Sequence, residues 1–288
     1  MIPSDTPFIG INIQIPKIIW QTGKDNFEDL KYPFNLNVET WKKLNPDWEY
    51  NYTNQQEKYD QIKEFGDPEL TELSEYLYGA FLADLWRYVT IYRYGGVYAD
   101  LDTVARLPLD LLKYNITNIL NEVFIMPDLG EWGYYIEQDP TQSAVNGKRV
   151  YCQGCDDFIK YIMKREGHKK FYRTNSAFAA KKKAEPIKYV LDEIKIRFSM
   201  FKKLHGHDFS NYHGALHLCV DCSAWDYAIN KNPALVAQNF IYEYNSPGYT
   251  DAEGNETILF KEDFMDYEIL TINTTSYNQF IENAYKEN

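Results

Sequence analysis

The sequence predicts an α/β fold built as a single domain over residues 1–288. Segments with strand character alternate with segments of helical periodicity through the first half of the chain. An acidic pair, Asp100 and Asp102, follows a short apolar stretch, and the carboxyl ends of strands are where α/β sheets bind ligands. The chain is long enough to bury a core, and it contains no Gly/Ser/Pro-rich linker and no internal repeat.

The first elements are predicted from β-branched runs and turn residues. Residues 15–20 are rich in isoleucine and predict a buried strand, in which Pro16 occupies an early position. Residues 36–44 predict a short helix that ends before Asn45-Pro46. Residues 48–52 alternate like a second strand.

A long helix is predicted over residues 70–93, because apolar side chains recur there at three- and four-residue steps. Gly95-Gly96 ends this helix, and residues 97–99 form a short strand directly before Asp100. In the second half we expect a strand that ends at Phe178-Ala179, a helix over residues 185–201 and a short helix over residues 223–230.

Charge and hydropathy limit the partners. The formal net charge of −12 argues against a broad surface for nucleic acid or anionic membrane, although a bound metal can neutralise a small phosphate ligand. No window reaches about eighteen apolar residues, and residues 1–15 lack the basic start and apolar run of a signal peptide. We therefore expect a soluble protein with no nucleic-acid partner and no membrane span.

The acidic pair suggests metal chemistry. Two aspartates spaced by one residue can approach one cation, and Mg²⁺ and Mn²⁺ prefer oxygen ligands. A divalent cation bound to a nucleoside diphosphate neutralises the charge that develops as the diphosphate leaves a sugar. The triplet Asp100-Leu101-Asp102 is not diagnostic by itself, because acidic triplets also occur in solvated turns.

Longer motifs surround the triplet. Residues 83–88 (ADLWRY) and 92–102 (YRYGGVYADLD) resemble the sugar-binding signature of glycosyltransferase family 32, which includes yeast-type initiating mannosyltransferases and is related to the glucosylating clostridial toxins. The resemblance extends to residues 15–22, where the family commonly has His in place of Trp20, and to residues 41–50. Residues 175–178 match more faintly, and beyond about residue 110 the rest of the chain matches poorly.

This resemblance implies a GT-A fold, a Rossmann-like mixed sheet flanked by helices. About residues 1–110 would form the donor half, and about residues 111–288 an irregular acceptor half. The implied activity is that of a retaining hexosyl- or pentosyltransferase, which moves a sugar from a UDP- or GDP-sugar to a glycan or glycoprotein acceptor with Mn²⁺ or Mg²⁺.

The resemblance also assigns residues. Asp100 and Asp102 would hold the metal ion, and Asp84 and Arg87 would contact the donor sugar and its phosphates. Asp84 and Arg87 stand at positions i and i+3 of a helix, so they can also pair with each other.

The nucleobase would meet the end of the first strand at Trp20, Gln21 and Thr22. Trp20 is either a stacking residue or a core residue, and Tyr98 either touches the nucleotide or faces the sheet. Gly95-Gly96 either lets the backbone pass close to the donor or simply ends the helix.

Candidates in the second half are weaker. His213-Gly214-Ala215 stands where the family often has Thr-Gly-Pro, and Ser276-Tyr277 resembles a Ser-Trp step that makes a metal or phosphate contact. His213 or Ser276 is therefore a candidate for a further metal contact. His213 also belongs to a group of four histidines, and such a group can bind metal: His205, His207, His213 and His217.

The four cysteines form two Cys-x-x-Cys pairs, Cys152 with Cys155 and Cys219 with Cys222. Four thiolates suit a structural Zn²⁺ site. Disulfides and buried free thiols are the alternatives, and the lack of an export signal disfavours disulfides.

Two other functions compete with the transferase. Residues 100–104 (DLDTV) also fit the nucleophile motif of a haloacid-dehalogenase-type Mg²⁺-dependent phosphatase, but that motif follows a long apolar strand and leaves Asp84 and Arg87 unexplained. An inactive sugar-binding homologue is the second alternative. The expected location is the cytoplasm of a bacterium, or of a host cell if the protein is viral; a Golgi lumen requires that an anchor has been removed.

Overall fold

The computed structural model describes residues 15–31, 34–105, 108–110, 122–125, 142–145, 148–151, 156–166, 175–206, 216–237, 249–250, 256–257 and 260–262. The helices are α1 (Phe34–Leu44), α2 (Gln55–Phe65), α3 (Pro68–Ser74), α4 (Gly79–Tyr94), α5 (Asp156–Glu166), α6 (Glu185–His205) and α7 (Cys222–Ile229). The strands are β1 (Ile18–Thr22), β2 (Glu49–Thr53), β3 (Gly96–Ala99), β4 (Thr103–Ala105), β5 (Val123–Ile125), β6 (Gln142–Val145), β7 (Lys148–Tyr151), β8 (Ala177–Ala180), β9 (Val236–Ala237), β10 (Tyr249–Thr250), β11 (Glu256–Thr257) and β12 (Phe260–Glu262).

A mixed sheet of six strands, in the order β2-β1-β3-β8-β5-β9, forms the frame of the described part. Strand β1 runs parallel to both β2 and β3. Strand β8 then pairs antiparallel with β3 and with β5, while β9 runs parallel to β5. The α/β class and the mixed sheet predicted from the sequence are confirmed.

Helices cover both faces of the sheet. Successive strand residues point to opposite faces, and in β1 the side chain of Ile19 joins a core cluster with Trp41 of α1. The next residue, Trp20, joins the larger cluster on the other face with Trp86 of α4. All four residues of β3 are buried, as expected for a central strand covered on both faces.

The predicted helix over residues 70–93 is wrong in one respect, because two helices, α3 and α4, occupy this segment. The chain is extended at Tyr78 (φ −145°) and left-handed at Gly79 (φ +55°), and these conformations interrupt a right-handed helix. The apolar spacing continues across the break, so periodicity alone did not reveal it.

Helix α2 was not predicted, although its ends carry recognisable signals. The Asn54 side chain accepts a hydrogen bond from the Glu57 amide, and the Glu57 side chain accepts one from the Asn54 amide. This reciprocal pair is a capping box. Gly66, with φ +82°, ends the helix in the left-handed conformation.

The second half of the chain completes the sheet beside the acidic pair. Ala177 of β8 stands opposite Ala99, the last residue of β3. Strand β12 pairs with β4, so that Glu262 stands opposite Thr103, the residue after Asp102. None of the helices in the described part of the chain has the length and apolar character needed to cross a membrane.

Candidate active site

Arg87 is the centre of the candidate site, where α4 and the end of β3 meet. It is 4% exposed, and its Nη2 lies 3.1 Å from Asp84 Oδ1 and 3.1 Å from Asp100 Oδ1. Its guanidinium stacks over the Tyr98 ring, 4.4 Å from the ring centroid. The structure thus brings together four residues that the sequence singled out: Asp84, Arg87, Tyr98 and Asp100.

Asn175, just before β8, ties the second half of the chain to this centre. Its carbonyl oxygen accepts a hydrogen bond from Arg87 Nη1 at 2.7 Å. Its side-chain amide donates to Asp84 Oδ1 at 2.9 Å and to the Tyr88 hydroxyl at 2.6 Å. The sequence drew attention to this position only through a faint motif match.

Burial shifts the pKa values of both carboxyls. It raises the pKa of Asp84 to about 7, with Asp100 and Asp221 adding to the rise and Arg87 and Asn175 opposing it. Burial also raises the pKa of Asp100, while Arg87 opposes that shift most strongly. The anionic forms therefore depend on the cation between them.

The turn that carries the acidic pair is fixed by hydrogen bonds to its backbone. The Asp100 carbonyl accepts from the amide and the hydroxyl of Thr103, at 3.0 and 2.6 Å, and from Gln21 Nε2 at 3.0 Å. The Leu101 carbonyl accepts from Asn37 Nδ2 at 3.1 Å. The two aspartates therefore lie in a turn whose backbone is held by hydrogen bonds within the protein.

Asp100 and Asp102 supply carboxylate oxygens, the type of ligand that hard divalent cations prefer. Asp102 lies two residues after Asp100 and is 9% exposed. In the described part, the contacts of the Asp100 carboxylate come from Arg87 and from the Tyr98 hydroxyl, and both fall on Oδ1. The Asp100 side chain keeps 27% of its surface exposed. No group of three or more His, Cys, Asp or Glu side chains poised for a metal occurs within the described ranges.

Lys58 of α2 is a site residue that sequence reasoning missed. It is almost fully buried, and its Nζ donates to the Gly23 carbonyl, just beyond β1, at 3.0 Å. Burial lowers the pKa of this lysine to about 8; Arg87 lowers it further and Asp100 opposes the shift. The capping signals of α2 could have revealed the helix, but no sequence signal marks the buried ammonium.

The three residues expected at the nucleobase are Trp20, Gln21 and Thr22, and each side chain makes a hydrogen bond within the protein. Gln21 Oε1 accepts from the Tyr50 hydroxyl at 2.9 Å, and the Thr22 hydroxyl donates to the Thr53 carbonyl at 2.6 Å. Trp20 is a core residue: its ring stacks against Tyr94, and its Nε1 donates to the Gly95 carbonyl at 3.0 Å. The stacking role is corrected in favour of the core role, because the indole is enclosed by helix α4 and strand β3.

Tyr98, Gly95 and Gly96 also make close contacts with other residues of the protein. Tyr98 is buried and donates its hydroxyl hydrogen to Asp100, so it orients that carboxylate. A Cβ on Gly95 would lie 2.7 Å from the Lys182 amide nitrogen, and one on Gly96 would lie 2.5 Å from the Ile18 carbonyl. The close approach that these glycines permit is therefore to neighbouring protein backbone.

Several candidates from the second half lie outside the described residues, namely Cys152, Cys155, His207, His213 and Ser276. Cys219 is fully buried in the larger core cluster, and this burial raises the pKa of its thiol. Cys222 begins α7 and is half-buried. The rings of His205 and His217 contact Phe201 and Phe81.

Comparison with known families identifies the segment that contains this site. Residues 33–122 match the family described as "Glycosyltransferase sugar-binding region containing DXD motif". Over this segment the chain is similar to that glycosyltransferase family. The matched segment includes Asp84, Arg87, Asp100 and Asp102.

Two yeast mannosyltransferases are similar to part of this chain. An initiation-specific alpha-1,6-mannosyltransferase of Schizosaccharomyces pombe is 30% identical over 151 residues, which cover 47% of this chain and 36% of that protein. An inositol phosphoceramide mannosyltransferase 3 of the same yeast is 36% identical over 101 residues, which cover 35% of this chain and 28% of that protein. The chain thus spans about a third of the length of these curated relatives.

Solved structures with a similar arrangement are more distant in sequence. The catalytic domain of alpha-toxin from Clostridium novyi superposes with a TM-score of 0.43 at 9% identity, over 96% of this chain and 84% of that one. The UDP-bound glycosyltransferase domain of the YGT toxin gives a TM-score of 0.41 at 11% identity, over 78% of this chain and 79% of that one.

Proposed function

We propose that the chain is a retaining, metal-dependent glycosyltransferase that moves a sugar from a UDP- or GDP-sugar to a glycan or protein acceptor. The observation that carries this proposal is the bridge of Arg87 between Asp84 and Asp100, next to the buried Asp102 and inside a sugar-binding region. The names of the yeast relatives favour a mannosyl donor.

The charges of the site suit a metal–diphosphate ligand. Asp84 and Asp100 pair with Arg87, and the Lys58 ammonium interacts with Asp100. Asp102 follows Asp100 by two residues. With all five ionised, the cluster carries one net negative charge, which favours a divalent cation. The cation then gives the site the positive charge that a diphosphate requires.

Each residue has a distinct task in the proposed reaction. Asp100 Oδ2 and the Asp102 carboxylate would hold Mn²⁺ or Mg²⁺, which when bound stabilises charge on the leaving diphosphate. Arg87 is held by three acceptors and so keeps a fixed direction toward the donor phosphates. Asp84 is placed to accept hydrogen bonds from donor-sugar hydroxyls.

Bond changes in the proposed transfer occur on the donor and acceptor alone. The acceptor oxygen bonds to the anomeric carbon, and the bond from that carbon to the diphosphate oxygen breaks with its electron pair. The acceptor proton passes to the leaving diphosphate. The protein contributes mainly position and charge stabilisation.

We further propose that residues 1–110 supply most donor contacts and that residues 111–288 contribute to the acceptor site. Asn175 supports a shared boundary between these halves, because it contacts both Asp84 and Arg87.

Release of free nucleoside diphosphate tests the function. Purified protein is incubated with a panel of UDP- and GDP-sugars, with Mn²⁺ or with EDTA. We expect one donor to be hydrolysed slowly with Mn²⁺ only, and the rate to fall at least about 100-fold in Asp100→Asn or Asp102→Asn. Asp192→Asn, which alters a distant carboxylate on α6 that pairs with Lys188, is the matched control.

The competing functions give different results. Mg²⁺-dependent cleavage of a generic phosphate ester, without turnover of any donor, would indicate the phosphatase. Metal-dependent binding of UDP or GDP without turnover of any sugar nucleotide would indicate an inactive sugar-binding homologue.

A further inference from the structure

Three aromatic rings form a ledge at the N-terminal end of α4. Tyr78 immediately precedes the helix, Phe81 lies in its first turn, and His217 comes from the turn before α7. The rings of Phe81 and His217 stack with centroids 5.0 Å apart and planes at 23°. Tyr78 meets Phe81 edge-on, with centroids 6.4 Å apart and planes at 68°. We call these three residues the aromatic ledge.

The ledge is open to solvent. Tyr78 is 56% exposed, the largest fraction among the exposed large apolar side chains of the described part. Gly79 and Ala80 beside it are exposed as well, and in the described part of the chain no atom outside the adjacent backbone lies within 4 Å of the position that a Cβ on Gly79 would take. A flat ligand can therefore approach the Tyr78 ring.

Both sides of the ledge adjoin the candidate active site. Phe81 precedes Asp84 by three residues, so the two lie on the same face of α4, about one turn apart. From the other side, the Asp221 amide donates to the His217 carbonyl at 3.0 Å, and the Asp221 carboxylate is near enough to Asp84 to raise the pKa of that carboxyl. The ledge therefore lies beside the expected position of the donor sugar.

A buried arginine fixes the turn that carries His217. Arg197 Nη1 donates to the Leu218 carbonyl at 2.9 Å and to Ser223 Oγ at 2.7 Å. Ser223 Oγ in turn donates to Asp221 Oδ1 at 2.6 Å. These groups hold the ledge in place before any ligand arrives, which lowers the entropic cost of binding.

We propose that the aromatic ledge binds a hexopyranose ring of the acceptor, with the apolar C–H face of the sugar against Tyr78 and its hydroxyls toward Asp84 and Asp221. A pyranose has one face of carbon-bound hydrogens and a rim of hydroxyls, which matches an aromatic ring flanked by carboxylates. The proposal rests on the transferase function, because it places an acceptor hydroxyl next to the donor sugar.

Saturation-transfer NMR tests the ledge without any donor present. The probes are methyl α-D-mannopyranoside, methyl β-D-glucopyranoside and methyl β-D-galactopyranoside, each with the whole chain. We expect at least one to receive saturation at its carbon-bound ring protons, at least fivefold less with Tyr78→Ala and nearly unchanged with Tyr78→Phe. Tyr78 makes no side-chain cap to α4, so its truncation should leave the helix intact. Leu204→Ala, which removes another exposed apolar side chain, is the control.

Each outcome is decisive for the ledge. The proposal would be overturned if the wild-type protein transferred no saturation to any of the three glycosides. It would also be overturned if Tyr78→Ala transferred as much saturation as the wild type. Donor hydrolysis is measured on the same preparation. Hydrolysis without Tyr78-dependent saturation overturns the ledge alone. Tyr78-dependent saturation without hydrolysis supports a sugar-binding ledge and overturns the transferase.

Discussion

Arg87 and Asn175 lie 88 positions apart in the chain and are joined by a 2.7 Å hydrogen bond from the guanidinium to the Asn175 carbonyl. The same guanidinium pairs with Asp84 and Asp100. One buried cation thus connects the sugar-binding region to the strand β8 of the second half. This connection makes the stability of the fold and the geometry of the site depend on the same residue.

Replacement of Arg87 should therefore destabilise the protein strongly. Arg87→Ala leaves Asp84 and Asp100 without their buried cation, and we expect the free energy of unfolding to fall by about 3–5 kcal/mol in urea denaturation at pH 7. The free energy of unfolding of Arg87→Lys should lie between that of Arg87→Ala and that of the wild type, because lysine keeps the charge but lacks the planar guanidinium. Arg93→Ala is the control on the same helix. Its partner Glu64 is exposed, so a loss below about 1 kcal/mol is expected, and a loss equal to that of Arg87→Ala would contradict the argument.

Asp84 should make stability depend on pH. Its pKa is raised from 3.8 to about 7 in the folded protein, chiefly by burial. Between these values the folded state binds a proton that the unfolded state has lost, so stability falls as pH rises through this window. Relative to Asp84→Asn, the wild type should lose on the order of 3 kcal/mol between pH 4 and pH 7.

Urea denaturation of both proteins across this pH range measures the difference. The charged groups that act on Asp84 are Arg87, Asp100 and Asp221, and all three are kept in the variant. A constant difference between the two curves would show that Asp84 titrates near its ordinary pKa.

The sequence predicted the parts of this site that local motifs encode. The strand–helix alternation and the turn after β3 depend on near neighbours, so the positions of Asp84, Arg87 and Asp100 along one helix and one strand end followed from spacing. Lys58 did not, because its burial depends on how α2 packs over the end of β1. The role of Asn175 depends on an antiparallel pairing of β8 with β3, which no local pattern contains.

Trp20 also shows where prediction from the sequence reaches its limit. An aromatic residue at the end of a strand suits either a ligand or the core, and only the neighbours decide between them. The stacked Tyr94 ring and the Gly95 carbonyl, both about 75 residues away, place this indole in the core.

Replacement of Gly96 should destabilise the protein far more than replacement of a solvent-facing glycine that also has a positive φ. Gly96 has φ +105°, and its added Cβ would lie 2.5 Å from the Ile18 carbonyl oxygen. Gly206 has φ +74°, and among the described residues not adjacent to it no atom lies within 4 Å of its added Cβ, so Gly206→Ala reports mainly backbone strain, about 1 kcal/mol. Gly96→Ala should cost about 2 kcal/mol more, because β1 must shift. Equal losses in thermal and urea denaturation would show that β1 and β3 tolerate the extra methyl group.

Asn175→Asp should test whether the amide of Asn175 holds Asp84 in place. The amide donates to Asp84 Oδ1 and to the Tyr88 hydroxyl, and a carboxylate of the same shape removes both donors and adds a like charge. We expect a loss of about 3 kcal/mol at pH 8, where Asp84 is mostly ionised, together with a fall in the rate of donor hydrolysis. Asn175→Ala should cost less, since it removes the donors without adding charge.

Measurement at lower pH separates the effect of charge repulsion from the effect of the lost hydrogen-bond donors. At pH 5 the Asp84 carboxyl, with its pKa of about 7, is protonated and can donate to the new carboxylate, so the deficit of Asn175→Asp should shrink below that of Asn175→Ala. Asn51→Asp supplies the matched control, because Asn51 donates to Glu49 at an exposed position and repulsion there is screened to below about 1 kcal/mol. An Asn175→Asp deficit that does not change between pH 8 and pH 5 would mean that Asp84 is not the group with which the Asn175 amide interacts.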